Sequence, residues 1–182
     1  AKMVTEKGNK YKGSYIHNYY HSATFKSRWY LTKRIGAKPF CIVRNPIERF
    51  VSAFDNRVLQ LRELEQEPWR SAAVAAGLPL EPDVAFFIDR LSEYSKVNGS
   101  IDHHFKPMTA FLGFSPAWYD RVFGMGDLPA LESYVRSHGA PISIQRVHGR
   151  KVRNDVDLSA ADIEKLKRFY WSDFTFWSRR FN

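Results

Sequence analysis

Two groups of residues in this chain could do chemistry together. The first is the run "VRNPIERFVSAF", where Arg44, Asn45, Arg49 and Ser52 follow the short apolar stretch "PFCIV" (39–43). A guanidinium and a hydroxyl at the junction of a strand and a helix suit an anion, because the helix start adds backbone donors and a partial positive charge. Arg49 could face the same ligand or pair with a carboxylate, and a solvated turn is the plain alternative for the whole stretch. The second group is the histidines. His17 and His21 lie in "YIHNYYH", and His104 lies in "DHHFKP". Each could take a proton from a hydroxyl near neutral pH, or simply be a hydrogen-bonded structural residue.

The elements that must position these groups follow from pattern. Residues 15–20 are β-branched and aromatic behind a glycine and read as a strand. Residues 24–35 carry Phe25, Trp29, Tyr30 and Ile35 at helical spacing, with Gly36 as a stop. Residues 39–43 form a continuous apolar run, as for a strand covered on both faces. A helix follows from Pro46, proline being favoured in a first turn, and runs to about Glu65 with Phe50, Val51, Phe54, Val58 and Leu61 on one face. Alternating strands and helices imply an α/β fold with a parallel sheet, and ligands of such sheets bind beyond the carboxyl ends of the strands.

Further along, residues 65–82 read as an excursion and 82–96 as a helix with a stripe of Val84, Phe87, Ile88, Leu91 and Tyr94. Residues 98–113 read as irregular, 119–125 as a strand, and 127–139 as a helix closed by Gly139. Residues 146–155 form a basic loop. Residues 158–181 form one or two closing helices, with Ser159 and Asp162 at capping-box spacing.

The chain has 182 residues, 44% hydrophobic and 15% aromatic, enough for one well-cored domain. That domain divides into a strand–helix–strand–helix part (15–65), an insert with a strand (66–157) and the closing helices (158–182). A net charge of +9 favours anionic ligands. No apolar run of about eighteen residues occurs, so no transmembrane segment is expected. Cys41 is the sole cysteine, so no internal disulfide forms. His103 and His104 lack a further ligand at zinc spacing, so no metal is expected. Most aromatics fall at core spacing, which argues against a base-stacking platform and a nucleic-acid partner. The absence of disulfides and of a visible signal suggests a cytoplasmic location, or the Golgi lumen if an N-terminal anchor has been removed.

"VRNPIERFVS" resembles the 3′-phosphate motif of sulfotransferases that use 3′-phosphoadenosine 5′-phosphosulfate (PAPS): Arg-Asp/Asn-Pro, two residues, Arg, two residues, Ser. The resemblance implies that Arg44 and Ser52 hold the 3′-phosphate, and that the fold is the P-loop-like one, a central parallel β-sheet flanked by helices. "DHHFKP" (102–107) is similar to the Asp-x-His-Trp/Phe-x-Pro segment of Golgi carbohydrate sulfotransferases. "YDRVFGMGDL" (119–128) is similar to their next strand, with Met125-Gly126 near the place of a glutamate. Tyr170, Asp173 and Phe174 fit their closing Tyr-x-x-Asp-Phe pattern.

"YYHSATF" before the motif resembles the hexuronyl 2-O-sulfotransferases, which implies His21 as base, ahead of His104 and then His17. A second histidine of that family would fall on Ala23. On its letters alone the loop 146–155 reads as a solvated surface turn; the resemblance implies instead that Arg150, Lys151 and Arg153 belong to a basic loop that closes over the cofactor's phosphates, or they meet an acidic acceptor.

The family's 5′-phosphosulfate loop is expected at or before residue 1. "KYKGSY" (10–15) offers Lys12, Gly13 and Ser14, but no apolar strand precedes it and a strand follows. The implied function is transfer of a sulfuryl group from PAPS to a hydroxyl of a carbohydrate or related small acceptor. The alternatives are a non-catalytic module for sulfated glycan or nucleic acid, and a nucleotide phosphotransferase. The last lacks its own Gly-x-x-x-x-Gly-Lys-Ser/Thr loop.

Overall fold

The computed structural model describes residue 36, residues 38–140, residue 143 and residues 156–181. The expected strand at 15–20, the helix at 24–35 and the basic loop at 146–155 lie outside the described residues.

β1 (Phe40–Val43) pairs in parallel with β2 (Arg121–Gly124), Phe40 opposite Arg121 and Val43 opposite Gly124. Among the described residues the sheet has these two strands, and most of the rest is helical. The expected parallel pairing is present, whereas a central sheet flanked by helices is not seen among these residues. Among the described residues, β1 is covered on one face. Cys41 and Val43 point into a small core with Met108 and Trp177, while Phe40 and Ile42 are about 40% exposed (41% and 39%). Burial pushes the Cys41 thiol up to about 12, so it is a packing residue and no nucleophile.

After β1 the chain enters α1 (Pro46–Ala53), with Pro46 in its first turn and Asn45 as N-cap, its Oδ1 accepting from the Ile47 N–H at 2.9 Å. The expected single helix to Glu65 does not persist. From Phe54 to Gln60 it widens to π geometry, and at Arg62 the backbone turns left-handed (φ 48°). Phe50, Phe54 and Val58 stay buried, but Leu61, expected on the same face, is 46% exposed. The turn carries Glu63 and Leu64 back into the interior.

The excursion holds a short helix, α2 (Trp69–Ala75). The expected helix over 82–96 is two, α3 (Val84–Asp89), capped by Asp83 Oδ1 accepting from the Phe86 N–H at 2.7 Å, and α4 (Leu91–Val97), divided at Arg90. Residues expected to be irregular form α5 (Gly99–Phe105) and α6 (Thr109–Leu112). Asn98 makes α5 possible: its Oδ1 accepts from the Ser100 and Ile101 N–H groups at 2.9 and 3.1 Å.

α7 (Leu128–Ser137) follows β2 and ends at Gly139, whose φ of 86° suits glycine. α8 (Ala160–Phe169) starts at the expected capping box: Ser159 Oγ accepts from the Asp162 N–H at 3.2 Å, and Asp162 Oδ2 accepts from the Ser159 N–H at 3.2 Å. α9 (Trp171–Trp177) completes the described chain apart from one short 3-10 turn. None of the described helices is long and apolar enough to cross a membrane.

The main core is aromatic. Phe87, fully buried, meets Phe54, Tyr94 and Phe105 at ring centroid distances of 5.1, 4.8 and 5.1 Å. Phe50 meets Phe105 edge-on at 5.3 Å. α1, α3, α4 and α5 are thus joined through one ring cluster. Phe87→Ala is expected to cost about 3–5 kcal/mol in urea unfolding. Trp171→Ala, at a side chain 60% exposed, should stay within about 0.5 kcal/mol of the parent.

Candidate functional site

Parallel pairing places Arg44 just past the carboxyl end of β1, beside the end of β2 at Gly124. The backbone donors there are largely engaged. Pro46 has no N–H, the Ile47 N–H is capped by Asn45, and the Arg49 N–H donates to the Asn45 carbonyl at 2.9 Å. Asp127, following β2, accepts from the Gly124 N–H at 2.9 Å. An anion at this edge therefore depends on side chains. Arg44 fits that role. Its ion pair is a 3.6 Å approach of Nε to Glu48, and the two side chains are 32% and 64% exposed. Such a loose surface pair holds little energy and yields readily to a phosphate. Ser52 lies half-buried on α1, two turns beyond.

Arg49 is placed differently. Its guanidinium leaves the strand edge and donates to backbone carbonyls, Nη1 to His104 O at 2.9 Å and Nη2 to Lys106 O at 2.5 Å. Its Cζ sits 5.4 Å from the centre of the Tyr170 ring, and its Nε is buried without a hydrogen-bond partner. The expectation that Arg49 touches the same ligand as Arg44 meets a guanidinium already committed to protein.

The reason lies in α5. A helix leaves its last carbonyls without internal partners, and Pro107 offers no N–H to continue the ladder. Arg49 takes His104 O and Lys106 O, and the Tyr170 hydroxyl donates to Phe105 O at 2.8 Å. Beyond Pro107, the Asp173 carboxylate accepts from the N–H groups of Met108 and Thr109 at 2.8 and 2.9 Å. Ser172 and Thr109 hydroxyls bond at 2.9 Å. The turn 104–109 is thereby gripped from α1 and from the start of α9. Burial and the Asp173 charge push the Tyr170 phenol up, against the pull of Arg49, so it stays a proton donor.

His104 is thus held in a defined place near α1. Burial lowers it to about 4, helped by Arg57 and by His103 and Arg49, while Glu63 acts the other way. Arg57 and Glu63 are the neighbours the sequence did not reveal: Arg57 Nη1 donates to Glu63 Oε1 at 2.8 Å, bridging the π segment and the chain after Arg62. Only the left-handed reversal at Arg62 brings them together, and no turn residue marks it. His17, His21, Arg150, Lys151 and Arg153 lie outside the described residues.

The sequence model of the sulfotransferase family matches residues 6–120, more than half of the chain. The chain belongs to the sulfotransferase family. The match includes Arg44, Arg49, Ser52 and His104 and stops at Asp120, so the likeness read in 158–177 lies beyond it. None of the curated proteins or solved structures matches this sulfotransferase significantly.

The depressed His104 has a consequence for stability. Between pH 6.5 and 4 the unfolded chain carries a proton on this histidine that the folded protein does not, so stability rises with pH through that window. The contribution is fully present above the unfolded value and is lost as pH falls toward about 4. Urea unfolding across this range should show the slope, and His104→Gln should flatten it. An NMR titration should find the imidazole neutral at pH 7.

Proposed function

We propose that this sulfotransferase moves a sulfuryl group from PAPS to a hydroxyl of a carbohydrate or related small acceptor. The observation that carries the reading is the position of Arg44. Arg44 follows the carboxyl end of a parallel strand and precedes the helix that bears Ser52, and among the described residues its guanidinium has one loose ion pair, with Glu48. Arg44 and Ser52 are the residues that would bind the 3′-phosphate, the guanidinium by charge-assisted hydrogen bonds and the hydroxyl as a directed donor.

Bound PAPS supplies the activated group: an O–S bond to the acceptor forms as the S–O bond to the 5′-phosphate breaks, releasing 3′-phosphoadenosine 5′-phosphate. The protein's part is to orient the acceptor hydroxyl and to take its proton. His104, neutral at pH 7, has a ring nitrogen able to accept it. With so low a basicity, proton transfer would follow O–S bond formation, which acidifies the acceptor oxygen. His21 is the other candidate base, on its resemblance to the hexuronyl 2-O enzymes. Arg150, Lys151 and Arg153 are further candidates for the phosphates or for an acidic acceptor.

Thermal unfolding with 3′-phosphoadenosine 5′-phosphate, ATP with magnesium, and heparin tests this reading. At about 100 times Kd a ligand adds about 2.7 kcal/mol, which raises Tm by roughly 5–10 °C in a domain of this size. The expected order is the 3′-phosphorylated nucleotide well above ATP. A response to heparin alone, abolished by salt, would favour a polyanion-binding module, and a response to ATP alone a phosphotransferase.

A further inference from the structure

We propose that Arg49 is a positioning residue that ties the helix that follows Arg44 and bears Ser52 to the turn bearing His104, with Tyr170 as its partner in the same clamp. The inference rests on the proposed function for its catalytic meaning, because it assigns what joins the donor side of the site to the candidate base. Three consecutive carbonyls, of His104, Phe105 and Lys106, are held by Arg49, Tyr170 and Arg49 in turn, at 2.9, 2.8 and 2.5 Å. Such alternation needs a donor with two prongs and a second donor between them.

Guanidinium supplies the prongs in a fixed plane, which an ammonium cannot reproduce. The phenol supplies the middle donor, and its ring lies 5.4 Å from Arg49 Cζ. The geometry also argues against Arg49 as an anion ligand. Both terminal nitrogens donate to carbonyls, and Nε is enclosed. With His104 O fixed to a side chain of α1, displacement of α1 is carried directly to the backbone of the candidate base. Asp173, one turn after Tyr170, fixes the far side of Pro107 through Met108 and Thr109. The turn is therefore fastened at both ends: the α1 end is joined by directional bonds from Arg49, while Met108 on the far side packs with Val43, the residue before Arg44.

The test uses the full-length protein with Arg49→Lys, which keeps the charge, and Tyr170→Phe, which removes one hydroxyl and no charge. Arg44→Ala is the comparator. Three quantities are measured: affinity for 3′-phosphoadenosine 5′-phosphate, the NMR titration of His104, and amide exchange over 104–109. The clamp predicts that both variants bind the nucleotide within about threefold of the parent, while Arg44→Ala loses tenfold or more. It predicts that the His104 midpoint moves up from about 4 toward its free value near 6.5 in both variants. Exchange over 104–109 should quicken by on the order of tenfold.

A change confined to global stability would leave the His104 midpoint where it is. The proposal is overturned if the midpoint and the exchange are unchanged in both variants. It is equally overturned if Arg49→Lys weakens nucleotide binding as much as Arg44→Ala does, since Arg49 would then be a phosphate ligand. If the parent itself does not bind the nucleotide, the donor reading fails, and the clamp is decided by the titration and exchange, which need no donor. Should Arg49→Lys fail to fold, Tyr170→Phe decides alone.

Discussion

The guanidinium of Arg49 meets the carbonyl oxygens of His104 and Lys106 where a short helix has run out of partners for its own backbone. α5 is seven residues long and ends against Pro107, so its last carbonyls need donors from elsewhere. In a half-buried place, leaving them unmade would cost about 1–3 kcal/mol each. Arg49 and Tyr170 meet that need, and in doing so fix α1, α5 and the start of α9 to one another. The aromatic cluster around Phe87 packs α1 and α5 together with α3 and α4. One interaction is directional and the other is not: the rings hold the helices together, and the carbonyl clamp sets where along them the turn sits.

That arrangement separates the two arginines of the motif by task. Arg44 stays at the strand edge with a loose, exposed ion pair, while Arg49, five residues on, faces inward. The difference follows from helix geometry and from burial of the neighbouring Phe50. Around His104 the loss of water, and then the positive charges of Arg57, His103 and Arg49, favour the neutral ring. Glu63, buried and paired to Arg57, moderates the effect. At pH 7 the His104 ring is therefore neutral, held on the inward side of α1 by the bond between its carbonyl and Arg49.

Much of this was legible in the letters. Continuous apolarity before "RNP" marks β1, Asn45-Pro46 marks the start of α1, and Ser159 with Asp162 marks the start of α8. All are local signals, carried by a few adjacent residues. Tyr170 and Asp173 were visible as a pattern, but their work on the 104–109 turn was not, because both bonds span more than sixty residues of sequence. α5 was missed because its helical propensity is weak and its stability comes from Asn98 at one end and Arg49 with Tyr170 at the other. The π widening after Ala53 and the reversal at Arg62 have no turn residue to announce them. Both are imposed by packing that returns Glu63 and Leu64 to the interior. Arg49 could not be distinguished from Arg44 by type or spacing alone, since only the position of the α5 carbonyls decides its role.

The central claim is that Arg44 reads a 3′-phosphate. Calorimetric affinities of the parent and Arg44→Ala for 3′-phosphoadenosine 5′-phosphate and for adenosine 5′-phosphate isolate that contact, because the two nucleotides differ only at the 3′ position. The account predicts that the parent prefers the 3′-phosphorylated nucleotide strongly, and that Arg44→Ala removes about 1.5–3 kcal/mol of that preference while leaving adenosine 5′-phosphate nearly unaffected. Equal affinities of the parent for the two nucleotides, or an unchanged preference in Arg44→Ala, would contradict it.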